Sequence, residues 1–336
     1  MSDHKRLRVA LLGAGEGAER WASALSDLPE LRLLPELSDE ADALVLAPGA
    51  SDPFARAQQA LAANMPVLYG APFLLSPWRA AVLHDVSRRE GCLLRFPELF
   101  QDRPGFAFLR RTLAGSEPFW RPLYLRTLHL AEASASVRID ELAMQELAMC
   151  AALLGAMPSH VTAAASGRDE GADTCAVFLV LHYANGPLVQ CTISLAEGTT
   201  ARQLVAVTAG RTVMLDELDP VASVRIVSVG EPAIFAEGPA PAPRGTKLLA
   251  PASTDAVAAE VKRFVAAVLE GDRSLANSYR WARVAALWRA ARRSMSVGAL
   301  EDGRGETEPP LLRVIEGGGR TRATAGERPP LTLIAG

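Results

Sequence analysis

Val9 to Leu12 is a short unbroken apolar run, and Gly13-Ala-Gly-Glu-Gly-Ala18 follows it without a spacer. A run with no polar alternation is what a strand covered on both faces requires. The residues that follow, through Leu25, carry a helical pattern. Strand, glycine loop and helix in that order predict the opening unit of a Rossmann-type domain, in the G-x-G-x-x-A form of the dinucleotide fingerprint. Gly13 permits the tight turn, Gly15 removes the Cβ that would block a pyrophosphate, and Ala18 lets helix and strand pack closely. The helix start, with Glu16 in it, offers N–H groups to an anion. Gly13, Gly15, Glu16 and Ala18 are therefore the first expected contacts of NAD or NADP.

Alternation of strand and helix continues. Leu31 to Leu34 reads as a second strand, after which Glu36 or Asp39 falls where a carboxylate accepts the adenosine ribose hydroxyls. Ala43 to Pro48 is a third strand, residues 53–63 a helix, Met65 to Tyr69 a strand, Trp78 to Glu90 a helix and Cys92 to Phe96 a strand. Such βαβ units build a parallel sheet whose ligand lies beyond the strand C-termini. Pro48, Gly49 and Ala71 thereby join the expected cofactor contacts.

The pattern changes near Pro118 to Arg121. Leu123 to Leu130 reads as a strand and Ile139 to Leu154 as a helix stopped by Gly155. Period-two strands follow at 160–165, 174–183, 188–195, 202–209, 211–215 and 224–227, with Asn185-Gly186 signalling a type I′ hairpin turn because both central residues need positive φ. Pro239 to Pro243 reads as a loop. Ser253 or Thr254 is placed to cap a helix ending at Gly271, and a second helix covers about Ser278 to Val297. The expected architecture is a shortened Rossmann-type parallel sheet over 1–121, then an open, mainly antiparallel sheet domain with helices on one face over 122–302. Residues 303–336 form a Gly-, Pro-, Arg- and Glu-rich tail in which 311–315 and 331–334 could add strands or bind a neighbour.

With 336 residues and 49% hydrophobic side chains the chain can fill two cores, and a formal net charge of -3 gives no reason to expect nucleic acid or an acidic membrane surface. No apolar run reaches membrane-span length, and the polar start predicts a cytoplasmic protein without a signal peptide. Cys92, Cys150, Cys175 and Cys191 lack metal-ligand spacing and read as buried thiols; no histidine pair suggests a metal.

The order of these elements resembles the Gfo/Idh/MocA family, the relatives of glucose–fructose oxidoreductase and inositol dehydrogenase. Residues 60–72 resemble the family's A-L-x-A-G-K-x-V-x-x-E-K-P, residues 183–186 its F-x-N-G hairpin, residues 260–270 its penultimate helix, and residues 290–294 its E-A-x-x-S. The resemblance implies NAD(P)-dependent hydride transfer on a sugar, polyol or similar carbonyl–alcohol pair, and a homo-oligomer formed through the open sheet. The family's E-K-P lysine falls on Ala71. Its D-x-x-x-H-x-x-D helix falls on Glu141, Gln145 and Ala148, so the histidine becomes Gln145, which does not titrate. The chain is also short between its second and third strands, where the family usually carries another helix and strand. Substitutes for the missing acid–base group would come from Glu141, His129, Arg126 or Tyr124. The alternative is a catalytically inactive relative that serves as a binding or assembly subunit, partnering a paralogue, with no substrate of its own.

Overall fold

A computed structural model of the chain describes residues 6–71, 75–115, 121–132, 138–167, 174–184, 186–219, 223–228, 246–249, 255–298 and 312–313. The first sheet is built from β1 (Leu7–Leu12), β2 (Leu31–Leu34), β3 (Ala43–Leu46), β4 (Val67–Tyr69) and β5 (Leu94–Arg95). All its pairings are parallel, in the order β2-β1-β3-β4-β5. β1 thus lies between β2 and β3, so the chain reverses its direction of travel across the sheet beside the glycine loop, the usual position of a ligand crevice. Helices α1 (Glu16–Ser26), α2 (Pro53–Ala62) and α3 (Pro77–Glu90) connect the strands.

Successive side chains of these strands serve two separate cores, as a period of two demands. Val9, Val45 and Leu68 pack with Trp21 and Leu25 of α1, whereas Ala10, Leu44, Leu46 and Tyr69 face the larger core shared with α2, α3 and the second sheet. Residues 35–42 pass from β2 to β3 without a helix, as expected from the short spacing. The shortcut is fixed by Asp42, whose carboxylate accepts from the Arg8 backbone N–H at 2.9 Å, from Nε at 3.0 Å and from Nη2 at 2.8 Å.

A helix that the sequence reading missed, α4 (Pro104–Leu113), precedes the second sheet. That sheet has nine strands among the described residues: β6 (Pro122–Leu130), β7 (His160–Gly167), β8 (Thr174–His182), β9 (Leu188–Ser194), β10 (Ala201–Thr208), β11 (Arg211–Asp216), β12 (Val224–Ser228), β13 (Thr246–Leu249) and the two-residue β14 (Leu312–Arg313). Their order is β13-β12-β11-β10-β6-β9-β8-β7-β14, antiparallel except for β6 with β9. Helix α5 (Ile139–Leu154) covers one face. Helices α6 (Ala256–Leu269) and α7 (Ala276–Gly298) come last, and α6 returns to the first sheet, where Val261, Phe264 and Val265 join the core around α1.

Two local expectations are corrected, and a third, a strand within 311–315, is met. The cap of α6 is Asp255, not Ser253 or Thr254, because its carboxylate accepts from the N–H groups of Val257 at 2.9 Å and Ala258 at 3.1 Å. The β8–β9 hairpin forms, but Gly186 closes the turn by donating its N–H to the Tyr183 carbonyl at 3.1 Å and is not among the positive-φ glycines. A Cβ on Gly186 would come 2.7 Å from Tyr183 Cβ, so close approach rather than positive φ selects glycine there. Finally, part of the tail pairs with β7 through Leu312 and Arg313. The expected loop at 239–243 and the segment 331–334 lie outside the described residues.

Candidate active-site cleft

The glycine loop begins where β1 ends. Gly15 has φ +76 and an added Cβ would meet nothing within 4 Å, so its backbone faces open space. It also forms the N-cap of α1 with no side-chain cap, which leaves the first helical N–H groups to an incoming acceptor. Gly13 is enclosed, since a Cβ there would sit 2.8 Å from Ala47 and 2.9 Å from Ala18. The loop after β3 braces this turn: Ala14 N–H donates to the Pro48 carbonyl at 3.0 Å, and Gly49, at φ +78, passes so near that a Cβ would lie 2.5 Å from the Ala14 oxygen.

Beyond these strand ends is a cleft of about 380 Å³ between the two sheets. Gly17, Pro48 and Gly70 form its first wall, with Trp21; Glu141 and Gln145, one turn apart on α5, stand on the second with Arg103 and Arg202. Of the expected cofactor contacts, Pro48 lines the cleft; Gly15, Glu16 and Gly49 do not, and the glycine loop reaches it through Gly17. Ala18 is buried beneath the loop, and Glu36 is exposed two residues beyond β2. Ala71 is buried; its neighbour Gly70 reaches the cleft, held by an N–H bond to the Leu46 carbonyl at 2.6 Å.

Among the four substitutes considered for the acid–base group, only Glu141 lines this cleft. Tyr124 and Arg126 are exposed on the other face of β6, out of phase with buried Leu125 and Thr127. His129 points inward but is consumed by the core, where its Nδ1–H donates to Oε1 of buried Glu146 at 3.0 Å. Burial pushes the Glu141 carboxyl up to about 7. Burial acts the same way on Glu146, but the hydrogen bond from His129 and the charge of Arg202 outweigh it and hold that carboxyl below its ordinary range.

Arg103 and Arg202 escaped the sequence reading. Arg103 is the residue before Pro104 and caps α4, so the proline that starts the helix was the available signal. Arg202 shares its side of β10 with buried Leu204 and Ala206, which marks an inward-pointing charge. Both guanidiniums converge on one oxygen of Glu217: Arg103 through Nη1, and Arg202 with Nε at 2.9 Å. Burial, with repulsion from Arg202, brings Arg103 down to about 10.

No protein-family model and no curated relative matches the chain. Solved structures do. UDP-N-acetylglucosamine 3-dehydrogenase GnnA from Acidithiobacillus ferrooxidans superposes with a TM-score of 0.73 at 20% identity, over 88% of this chain and 99% of that one. The chain has the Gfo/Idh/MocA fold. GenD2 from gentamicin A biosynthesis, solved with NAD, shares the fold with a TM-score of 0.68 and 20% identity over 88% of this chain and 95% of its own. An Agrobacterium radiobacter oxidoreductase solved with NAD+, L-tartaric acid and magnesium matches at 0.71 and 16%, over 87% and 97%. Within the Gfo/Idh/MocA fold, this chain's cleft contains neither lysine nor histidine among the described lining residues.

Proposed function

We propose that the chain is an NAD(P)-dependent oxidoreductase of the Gfo/Idh/MocA family, acting on a carbonyl–alcohol pair of a sugar, polyol or related compound, with Glu141 as its acid–base group. One observation carries the reading: Gly17, in the first turn of a helix whose N-terminus has no side-chain cap, lines the same cleft as Glu141, a carboxyl that burial pushes up to about 7. The residues fit a dinucleotide. The Gly15–Gly17 N–H groups and the positive end of α1 would hold its pyrophosphate, Pro48 and Gly49 would border it, and Glu36 would accept the ribose hydroxyls. Bound there, the nicotinamide ring supplies the hydride acceptor or donor.

Glu141 takes the hydroxyl proton when ionised and returns it when protonated. A carboxyl near 7 holds both forms at working pH, which is the condition for general acid–base catalysis in both directions. Gln145 cannot exchange a proton but can donate its amide N–H to the reacting oxygen as charge develops there. Trp21 and Phe100 supply apolar wall that keeps water from the reacting atoms.

Titration of the purified protein with NADH and NADPH, followed by nicotinamide fluorescence, tests this reading; micromolar binding of either supports it. The second reading, an inactive assembly subunit, rests on the missing lysine and histidine and predicts no binding of either at millimolar concentration. We further propose that a second copy covers the open face of the second sheet, where Tyr124, Phe178, Leu188 and Met214 are exposed, and Tyr124 pairs with Leu188 across adjacent strands. A monomer in sedimentation equilibrium at micromolar protein overturns that assembly.

A further inference from the structure

The cleft is chemically one-sided. Among the described lining residues Arg20, Arg103 and Arg202 stand against the single carboxyl of Glu141. The counter-charges that hold Arg103 and Arg202, Glu217 and Glu146, lie behind the wall and do not line it. A guanidinium carries five N–H donors, and among the described residues Arg103 and Arg202 each engage Glu217 through a single nitrogen. Among the described residues their remaining donors have no hydrogen-bond acceptor. Trp281 lines the same cleft at 2% exposure, and its indole N–H has no acceptor either. Gln145 adds an amide donor one turn from Glu141.

Two buried donors on this wall, Arg202 Nε and Trp281 Nε1, lack a hydrogen-bond partner among the described residues, and the Arg103 side chain is part-exposed at 34%; such buried donors are rare in folded proteins, because each lost its water on folding. A group of them around one cavity is complementary to a ligand rich in acceptor oxygens. Paired guanidiniums match the planar or tetrahedral oxygens of an oxyanion better than they match a neutral hydroxyl. The anchoring carboxylates behind Arg103 and Arg202 fix the two side chains in place, so little rotamer freedom is lost when the ligand arrives.

Resting on the cofactor reading above, we infer that the substrate of this cleft carries an oxyanion, a carboxylate or a phosphate, held by Arg103 and Arg202 with help from Trp281. The oxyanion seats against the second wall. The reacting carbon then lies between Glu141 and the glycine-loop wall.

The test is calorimetry on the full chain in two stages. NADH and NADPH are titrated first. Protein with and without cofactor is then titrated with matched probes: gluconate against sorbitol, and glucose 6-phosphate against glucose. At least tenfold tighter binding of one charged member than its neutral counterpart is expected, and the pair showing the larger gap names the anion. Arg202→Gln should remove that preference, and Arg103→Lys should keep part of it. Equal binding within both pairs, or no binding of any probe, overturns the inference even when cofactor binds. So does a normally melting Arg202→Gln protein that keeps the full preference. Should that variant fail to fold, the wild-type pairs alone decide. Failure of both cofactors to bind overturns the preceding reading instead, and this inference with it.

Discussion

Nδ1 of His129 lies 3.0 Å from Oε1 of Glu146, on the side of α5 away from Glu141 and Gln145. Neighbouring helical positions point about 100° apart. Gln145 thus enters the cleft while Glu146 enters the core, and the histidine that could have served chemistry is committed to structure. Glu146→Leu leaves His129 and Arg202 facing a lost buried charge, which should cost on the order of 3 kcal/mol in urea unfolding. His129→Leu combined with Glu146→Leu should recover most of that loss. A double variant as unstable as the single would show that Arg202, not His129, is what Glu146 serves.

Glu141 controls a proton in the proposed reaction. Glu141→Gln should lower kcat by roughly 10² to 10⁴ with smaller change in KM, whereas Glu141→Asp should retain part of the rate. Alcohol oxidation should rise with pH through about 7 as the carboxyl ionises, and carbonyl reduction should fall over the same range. A flat profile in wild type would remove Glu141 from the proton path.

The same carboxyl links pH to stability. Its folded value, about 7, stands above the ordinary 4.5, so the folded state holds the proton more tightly than the unfolded chain. Stability contributed by this group is complete below about 4.5 and declines as pH rises to about 7. Melting of Glu141→Gln should lack that decline, so its Tm advantage over wild type should grow from pH 4.5 to pH 7 and then level.

Two glycines on the same corner should fail differently. Gly15→Ala places a side chain at φ +76 and ψ -178, a region nearly restricted to glycine, costing about 1–3 kcal/mol in stability while obstructing the approach of a pyrophosphate. Gly49→Ala drives a Cβ into the Ala14 carbonyl and should lower Tm further. Cofactor affinity and Tm measured on both variants separate the roles; equal loss of affinity with unchanged Tm in both would contradict the bracing contact.

The Arg8–Asp42 clamp replaces a longer connection. Arg8→Met should lower Tm slightly, because the pair is partly exposed and bidentate, and should make residues 35–42 easier to cleave by protease. Salt should weaken wild type toward the variant.

Local signals carried most of the fold. The run from Val9 to Ala18 holds strand, turn and helix start within ten residues, and each constraint is visible from its neighbours. The positions of Glu141 and Gln145 were likewise legible, because a helix with a fixed stop at Gly155 fixes which residues share a face. Arg103 and Arg202 were not, since they are almost a hundred residues apart and only the return of β10 beside β6 brings them to one oxygen of Glu217. The Asp255 cap and the turn geometry at Gly186 were missed for another reason: several polar or turn-forming neighbours competed, and packing chose between them.

The return of α6 onto α1 also sets how the molecule can breathe. Glu260, fully enclosed, receives Arg95 from the end of β5 and Arg263 from its own helix, and Arg263 reaches on to Asp102. Prising α6 away from the first sheet would have to pull these charges apart. Helix α6, though it follows the second sheet in the chain, therefore travels with the first lobe as one piece.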